Sequence, residues 1–211
     1  MEFYLNKVMR TPKEGTFRLF VALPVPAAVR EELKRLQTEL RQRLPDDCVR
    51  WTRPEQFHLT LRFLGEVDAG QVEALRAAVR EVGDRFEPLH LRAEGVGFFP
   101  HGRPRVIWVG VQDDRGELQL LQAAVREAVG DFTREKEEKD FTGHLTIGRS
   151  RNMKSAQARV LTELAEELAS RVFGEWTADQ IEIVRSELSA EGSRYKCVAA
   201  VPLTGAKRKA E

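Results

Sequence analysis

Two of the chain's four histidines stand in the same tripeptide. His58-Leu59-Thr60 lies in FHLTLRFLG, residues 57–65, and His144-Leu145-Thr146 lies in FTGHLTIGR, residues 141–149. An imidazole whose ordinary pKa is near 6.5 gives or takes a proton close to neutrality, and a threonine hydroxyl donates a hydrogen bond to an anionic oxygen. Two imidazoles facing each other across a cleft can act as general acid and general base on opposite sides of one phosphorus, while two hydroxyls hold the phosphoryl oxygens. Each proton transfer contributes typically about 10²–10⁴-fold, and neither requires a metal. The arrangement suits in-line displacement at a phosphodiester, above all a strained 2′,3′-cyclic phosphate. Charge developing on the phosphoryl oxygens calls for cationic help. Arg149, just beyond the second motif, and Arg62, in the parity of His58 and Thr60, are the candidates.

The elements that must position these groups follow from periodicity. On a strand, residues i and i+2 share a face roughly 6–7 Å apart. His58 and Thr60 therefore face one way and Leu59, Leu61 and Phe63 the other; in the second copy Leu145 and Ile147 oppose His144 and Thr146. FRLFVAL, residues 17–23, has apolar residues at every odd position and reads as a strand with one buried face. Phe20, of opposite parity, is a candidate to line the cleft and stack on a base, and Tyr195 is a second.

Val29, Leu33, Leu36, Leu40 and Leu44 recur at helical spacing after Pro26. CVRW and FHLTLRFLG read as strands near one another, and Asp68 can cap a helix carrying Val72, Leu75, Val79, Val82 and Phe86. LHLRAEGVGFF and PRVIWVGV are strands flanking the turn PHGRP. A third helix carries Leu118, Leu121, Val125 and Val129, followed by the charged loop TREKEEKD, and a fourth runs through Val160, Leu164, Leu168 and Val172. QIEIVRSEL and RYKCVAAVPL form a closing hairpin. The two motif strands thus fall in similar half-chains, their histidines 86 positions apart (144 − 58). The expected fold is α+β and bilobed, a pseudo-twofold pair of antiparallel sheets with helices outside and a central cleft.

Composition excludes several functions. The net charge is +1, so no global field steers the chain to nucleic acid or to an anionic membrane, and any anion must be met by a local cluster. Cys48 and Cys197 are the only cysteines and lack zinc-ligand spacing. Neither they nor the histidines supply a convergent ligand set, so no metal and no cofactor is expected. His90, in PLHLRAE, and His101, in the turn PHGRP, have no partner motif. No Gly-rich phosphate cradle provides for ATP-driven ligation. No apolar run approaches the ~20 residues of a membrane span. A cytoplasmic monomer is expected, with residues 1–16 as a polar extension, 17–203 as one two-lobed domain and 204–211 as a charged tail.

The paired His-x-Thr motifs resemble those of the two-histidine (2H) phosphoesterases. Together with FRLFVAL, PRVIWVGV and SELSAEGSRY they are similar to the branch of RNA 2′,3′-cyclic phosphodiesterases once called 2′-5′ RNA ligases. The resemblance implies hydrolysis of a terminal 2′,3′-cyclic phosphate to a 2′-phosphate, with the 3′-oxygen leaving and reverse ligation as the same chemistry run backwards. It implies His58 as proton donor to the leaving oxygen, His144 as the base activating water, Thr60 and Thr146 as phosphate ligands, and Arg149 as the accompanying cation. The chain departs from the family's habit in having Gly143 before the second histidine, where proline is common, and Ile147-Gly148 after its threonine. Rival expectations are a 2H enzyme for small cyclic nucleotides or 2′-5′ oligonucleotides, and a non-catalytic RNA-end-binding module.

Overall fold

The computed structural model describes residues 15–44, 48–100, 104–135, 140–151, 153–189 and 192–205. The expected extension up to residue 14, His101 and its neighbours through residue 103, and residues 136–139 of the charged loop lie outside these residues, as does the tail from residue 206. Among the described residues, nine strands and four α-helices alternate as β1 (Thr16–Pro24), α1 (Ala27–Arg43), β2 (Val49–Trp51), β3 (His58–Asp68), α2 (Val72–Gly83), β4 (Leu89–Phe99), β5 (Val106–Gln112), α3 (Glu117–Ala128), β6 (His144–Ser150), α4 (Ser155–Glu167), β7 (Val172–Ala178), β8 (Gln180–Ser189) and β9 (Gly192–Pro202). The fold is the expected bilobed α+β arrangement. Its strands run in the order β7-β4-β5-β6-β3-β1-β8-β9, with β2 beside β6, and every pairing is antiparallel.

That order is a palindrome about the β6–β3 junction: β5 answers β1, β4 answers β8, and β7 answers β9. The strands form one continuous sheet, and its two halves meet at one bridged pair, Leu59 opposite Leu145, both leucines being fully buried in the main core. The alternation that buries a leucine on both motif strands thus sends the histidines and threonines to the opposite, concave face.

The helices cover the convex face. α2 and α3 lie against β9, β8 and β3, whereas α1 and α4 lie against β7 and β4. α1 therefore follows β1 in the chain but backs the other lobe, because its stripe of Val29, Leu33, Leu36 and Leu40 is buried there. Asp68 accepts a hydrogen bond from the Gly70 amide at 2.8 Å and caps a short 3₁₀ turn from which α2 continues.

Two helices end short of expectation, α2 at Gly83, which leaves Phe86 beyond it, and the fourth. Helical spacing carries the fourth helix through Val172, but α4 ends at Glu167, and Val172 opens strand β7 along β4. Leu168 still fits the spacing, whereas Val172 matches it only by coincidence. Val172, Phe173, Trp176 and Thr177 are β-branched or aromatic and favour the pleated edge position they occupy.

Candidate active site

Each motif strand carries the same irregularity one residue after its threonine. In β3, Thr60 pairs with Ala22 and Arg62 with Val21, leaving Leu61 as an extra residue; in β6, Thr146 pairs with Trp108 and Gly148 with Ile107, leaving Ile147 as an extra residue. These are β-bulges, and a bulge re-aims every side chain beyond it. A glutamine amide braces each one from behind. Gln37 of α1 donates to the Ile147 carbonyl at 2.7 Å and to the Thr52 carbonyl at 2.8 Å, and Gln122 of α3 donates to the Leu61 carbonyl at 3.2 Å.

The bulges decide which arginine reaches the histidines. Strict alternation puts Arg62 on the face of His58 and Thr60, but the extra residue at Leu61 turns it opposite the core residue Val21. There it is buried and donates to the Glu135 carbonyl at 2.9 Å. Phe63, expected in the core, comes instead to the concave face, 44% exposed with its ring 5.9 Å from that of Phe20. Arg149 holds the position in β6 that Phe63 holds in β3, five residues past the histidine. Its charge is felt at His58.

Extending the register of the Leu59–Leu145 pair by one residue each way sets His58 beside Thr146 and Thr60 beside His144. The Nδ1–H of His58 donates to the Gln56 carbonyl at 2.6 Å, and that of His144 to the Thr142 carbonyl at 2.8 Å. A carbonyl can only accept, so both rings are fixed with the proton on Nδ1 and with Nε2 turned to the cleft. Thr60 and Thr146 are half-buried, and neither hydroxyl is engaged by another described residue.

Aromatic rings wall both imidazoles. Phe20 lies 4.7 Å and Tyr195 5.1 Å from His58, while Phe99 lies 5.5 Å and Trp108 6.3 Å from His144, measured between ring centroids. The Trp108 ring lies over Gly97, where a Cβ would fall 2.3 Å from it, so only glycine admits the ring. Burial lowers the His58 pKa to about 4 against the supporting bond to Gln56, and the nearby charges of His144 and Arg149 push the same way as burial. Burial pushes the Tyr195 hydroxyl up, opposed by Arg149, Arg18 and Arg50.

Phe20 was expected to offer a stacking face, yet it is 2% exposed and packs in a small cluster with Ala22 and Val184. It is the floor under His58. Tyr195, at 38% exposure, keeps an open surface beside the same histidine. Phe63 and Phe99 escape the sequence reading, because strict alternation assigns Phe63 to the core and nothing in the Phe98-Phe99 pair distinguishes one ring from the other. His90 lies away from the motifs, exposed, with its Nε2 3.6 Å from Glu175. Among the described residues no three His, Cys, Asp or Glu side chains converge as a metal-binding group.

This doubled geometry agrees with the relatives. The model of the LigT-like phosphoesterases matches residues 23–108 and again residues 109–195, once for each half. The chain belongs to the LigT-like phosphoesterase family. An RNA 2′,3′-cyclic phosphodiesterase of Archaeoglobus fulgidus is 36% identical over 182 residues, covering 85% of this chain and 96% of that one. Another of the same name, from Methanothermobacter thermautotrophicus, is 31% identical over 179 residues, covering 84% and 94%. Among solved structures, a Thermus thermophilus protein superposes with a TM-score of 0.73 at 28% identity, over 89% of this chain and 98% of that one. Escherichia coli LigT, solved with 3′-AMP, shares the LigT-like fold with a TM-score of 0.71 at 21% identity, covering 90% and 99%. No helix among the described residues is long and apolar enough to cross a membrane.

Proposed function

We propose that the chain is an RNA 2′,3′-cyclic phosphodiesterase that opens a terminal cyclic phosphate to a 2′-phosphate by metal-independent catalysis with two histidines. The observation carrying this reading is the mirrored pair of imidazoles, each anchored through Nδ1 to the carbonyl two residues before it and each beside the other motif's threonine. The names of the relatives point to the same activity.

In the proposed reaction Thr60, Thr146 and Arg149 hold the non-bridging phosphoryl oxygens. Neutral His144 takes a proton from water through Nε2 as the water oxygen attacks phosphorus. Protonated His58 gives its Nε2 proton to the departing 3′-oxygen, so the P–O3′ bond breaks as the new P–O bond forms. His58 is neutral in the empty cleft at neutral pH; the phosphodiester's negative charge raises its affinity for a proton, so the acid is loaded as substrate arrives. Ligation is the same ring opening with a 5′-hydroxyl in place of water: its oxygen attacks phosphorus, its proton goes to His144, and the 3′-oxygen again leaves with the proton from His58; the reverse of this step cleaves a 2′-5′ linkage. The catalytic unit is taken as residues 17–203 of a cytoplasmic monomer, and Tyr195 and Phe63 offer the open rings for a base.

The test is hydrolysis of a short RNA ending in a 2′,3′-cyclic phosphate, in EDTA, by wild type, His58→Ala and His144→Ala. Turnover to the 2′-phosphate, reduced about 10²–10⁴-fold in each variant, is the expected result. Absence of wild-type turnover with binding retained in all three proteins would replace the enzyme by a binding module.

A further inference from the structure

Arg149 does not stand alone. Across β2 and β6 it is in register with Arg50, two like charges directly opposite each other on neighbouring strands. Such a pair destabilises a sheet unless an anion lies between or beside the charges. On the other flank Arg105 and Arg149, with Val106 and Ser150, line a small open cavity of about 150 Å³. Arg50 and Arg149 therefore form a row across one end of the concave face, just beyond Thr146, and Arg105, one position before the Val106 that pairs with Arg149, reaches the cavity at its end. Tyr195 faces the same row, since its hydroxyl feels both Arg149 and Arg50.

Several arginines elsewhere in the protein are neutralised directly. Arg35, Arg43, Arg92, Arg171 and Arg185 each sit against a glutamate carboxylate. Among the described residues, no carboxylate lies within ion-pair distance of Arg50, Arg105 or Arg149. A chain with net charge +1 has acidic groups enough to pair them, yet here three guanidinium groups converge without one. Their five donors apiece, in a fixed fork, match phosphate oxygens.

The geometry points to a second phosphate site, in which Arg50 and Arg105 receive the internucleotide phosphate next to the scissile one and Arg149 is shared between the two. This proposal rests on the cyclic phosphodiesterase reading and narrows its substrate: the enzyme takes the end of an oligoribonucleotide in preference to a cyclic mononucleotide. The distance suits a neighbouring phosphate. Along β6 the bulge leaves Arg149 two effective strand positions beyond Thr146, roughly 6–7 Å at the usual rise. The open ring of Tyr195 then lies beside the nucleoside joining the two phosphates.

The experiment compares kcat/KM for cytidine 2′,3′-cyclic phosphate and for a pentanucleotide with the same terminus, using wild type, Arg50→Gln, Arg105→Gln and the double variant. Wild type should favour the pentanucleotide by about tenfold or more at low salt, and the preference should shrink as salt rises. The double variant should bring the two substrates together by losing activity on the pentanucleotide alone. A preference unchanged in the double variant, or an equal loss on both substrates, overturns the proposal. Anisotropy of a labelled, 3′-phosphorylated pentanucleotide gives a readout that does not depend on turnover. Each substitution should lower the slope of log affinity against log salt by about 1. If wild type hydrolyses neither substrate, the activity reading fails while the anisotropy still decides the phosphate site: an unchanged slope removes it, and a reduced slope upholds it.

Discussion

With both Nδ1 protons committed to backbone carbonyls, each imidazole has one nitrogen left for chemistry, and the protonation state of that nitrogen is set by its surroundings. For His58 the surroundings favour the neutral ring, with a pKa of about 4. Binding of inorganic phosphate near neutrality should then be accompanied by proton uptake, read as a dependence of calorimetric binding heat on the buffer's ionisation enthalpy. The uptake should vanish in His58→Asn. The same shift has a signature in stability. Unfolded His58 titrates at 6.5 and folded His58 at about 4, so between these values the unfolded chain holds more protons and stability rises with pH. The wild-type protein should lose unfolding free energy relative to His58→Asn as pH falls through this window, and the difference should be flat above it, as followed by urea titration.

The bulges at Leu61 and Ile147 are the elements on which placement turns. Gln37→Leu leaves one buried and one part-buried carbonyl without their amide donor, although Thr52 still donates its own N–H to Ile147 at 3.0 Å. A loss of about 1–3 kcal/mol is expected in urea denaturation, together with weakened phosphate binding as Arg149 loses its fixed position. Gly97→Ala drives a methyl group into the Trp108 ring and should cost about 1–3 kcal/mol, with His144 displaced in consequence. The histidines, threonines and most strand and helix positions are legible in the sequence because periods of 2 and 3.6 are local properties. The bulges are not, since a bulge is a relation between two strands, and its consequences are misread with it: alternation assigns Arg62 to the cleft and Phe63 to the core. Burial of Phe20 is hidden for a related reason. Parity gives its face correctly but cannot show that Tyr195, from the far end of the chain, lies beside it.

At the scale of the whole molecule, the two lobes are joined by the Leu59–Leu145 bridge and by helices that cross between them. Leu59→Ala removes a fully buried side chain at that junction and should cost about 2–5 kcal/mol. Because it also loosens the register that sets each histidine beside the opposite threonine, activity should fall by a larger factor than the stability of the remaining folded fraction explains. Thermal unfolding followed together with turnover on the cyclic-phosphate RNA separates the two effects.

The reciprocal bracing by Gln37 and Gln122 has a consequence for ancestry and for engineering. A helix from the first half supports the second motif, and a helix from the second half supports the first. Two copies of a single half, exchanging helices as separate subunits do in a swapped dimer, would build the same paired cleft. In this chain the exchange is made permanent by covalent connection. A cut in the β5–α3 connection should therefore yield fragments that are incomplete apart and regain a working cleft when mixed.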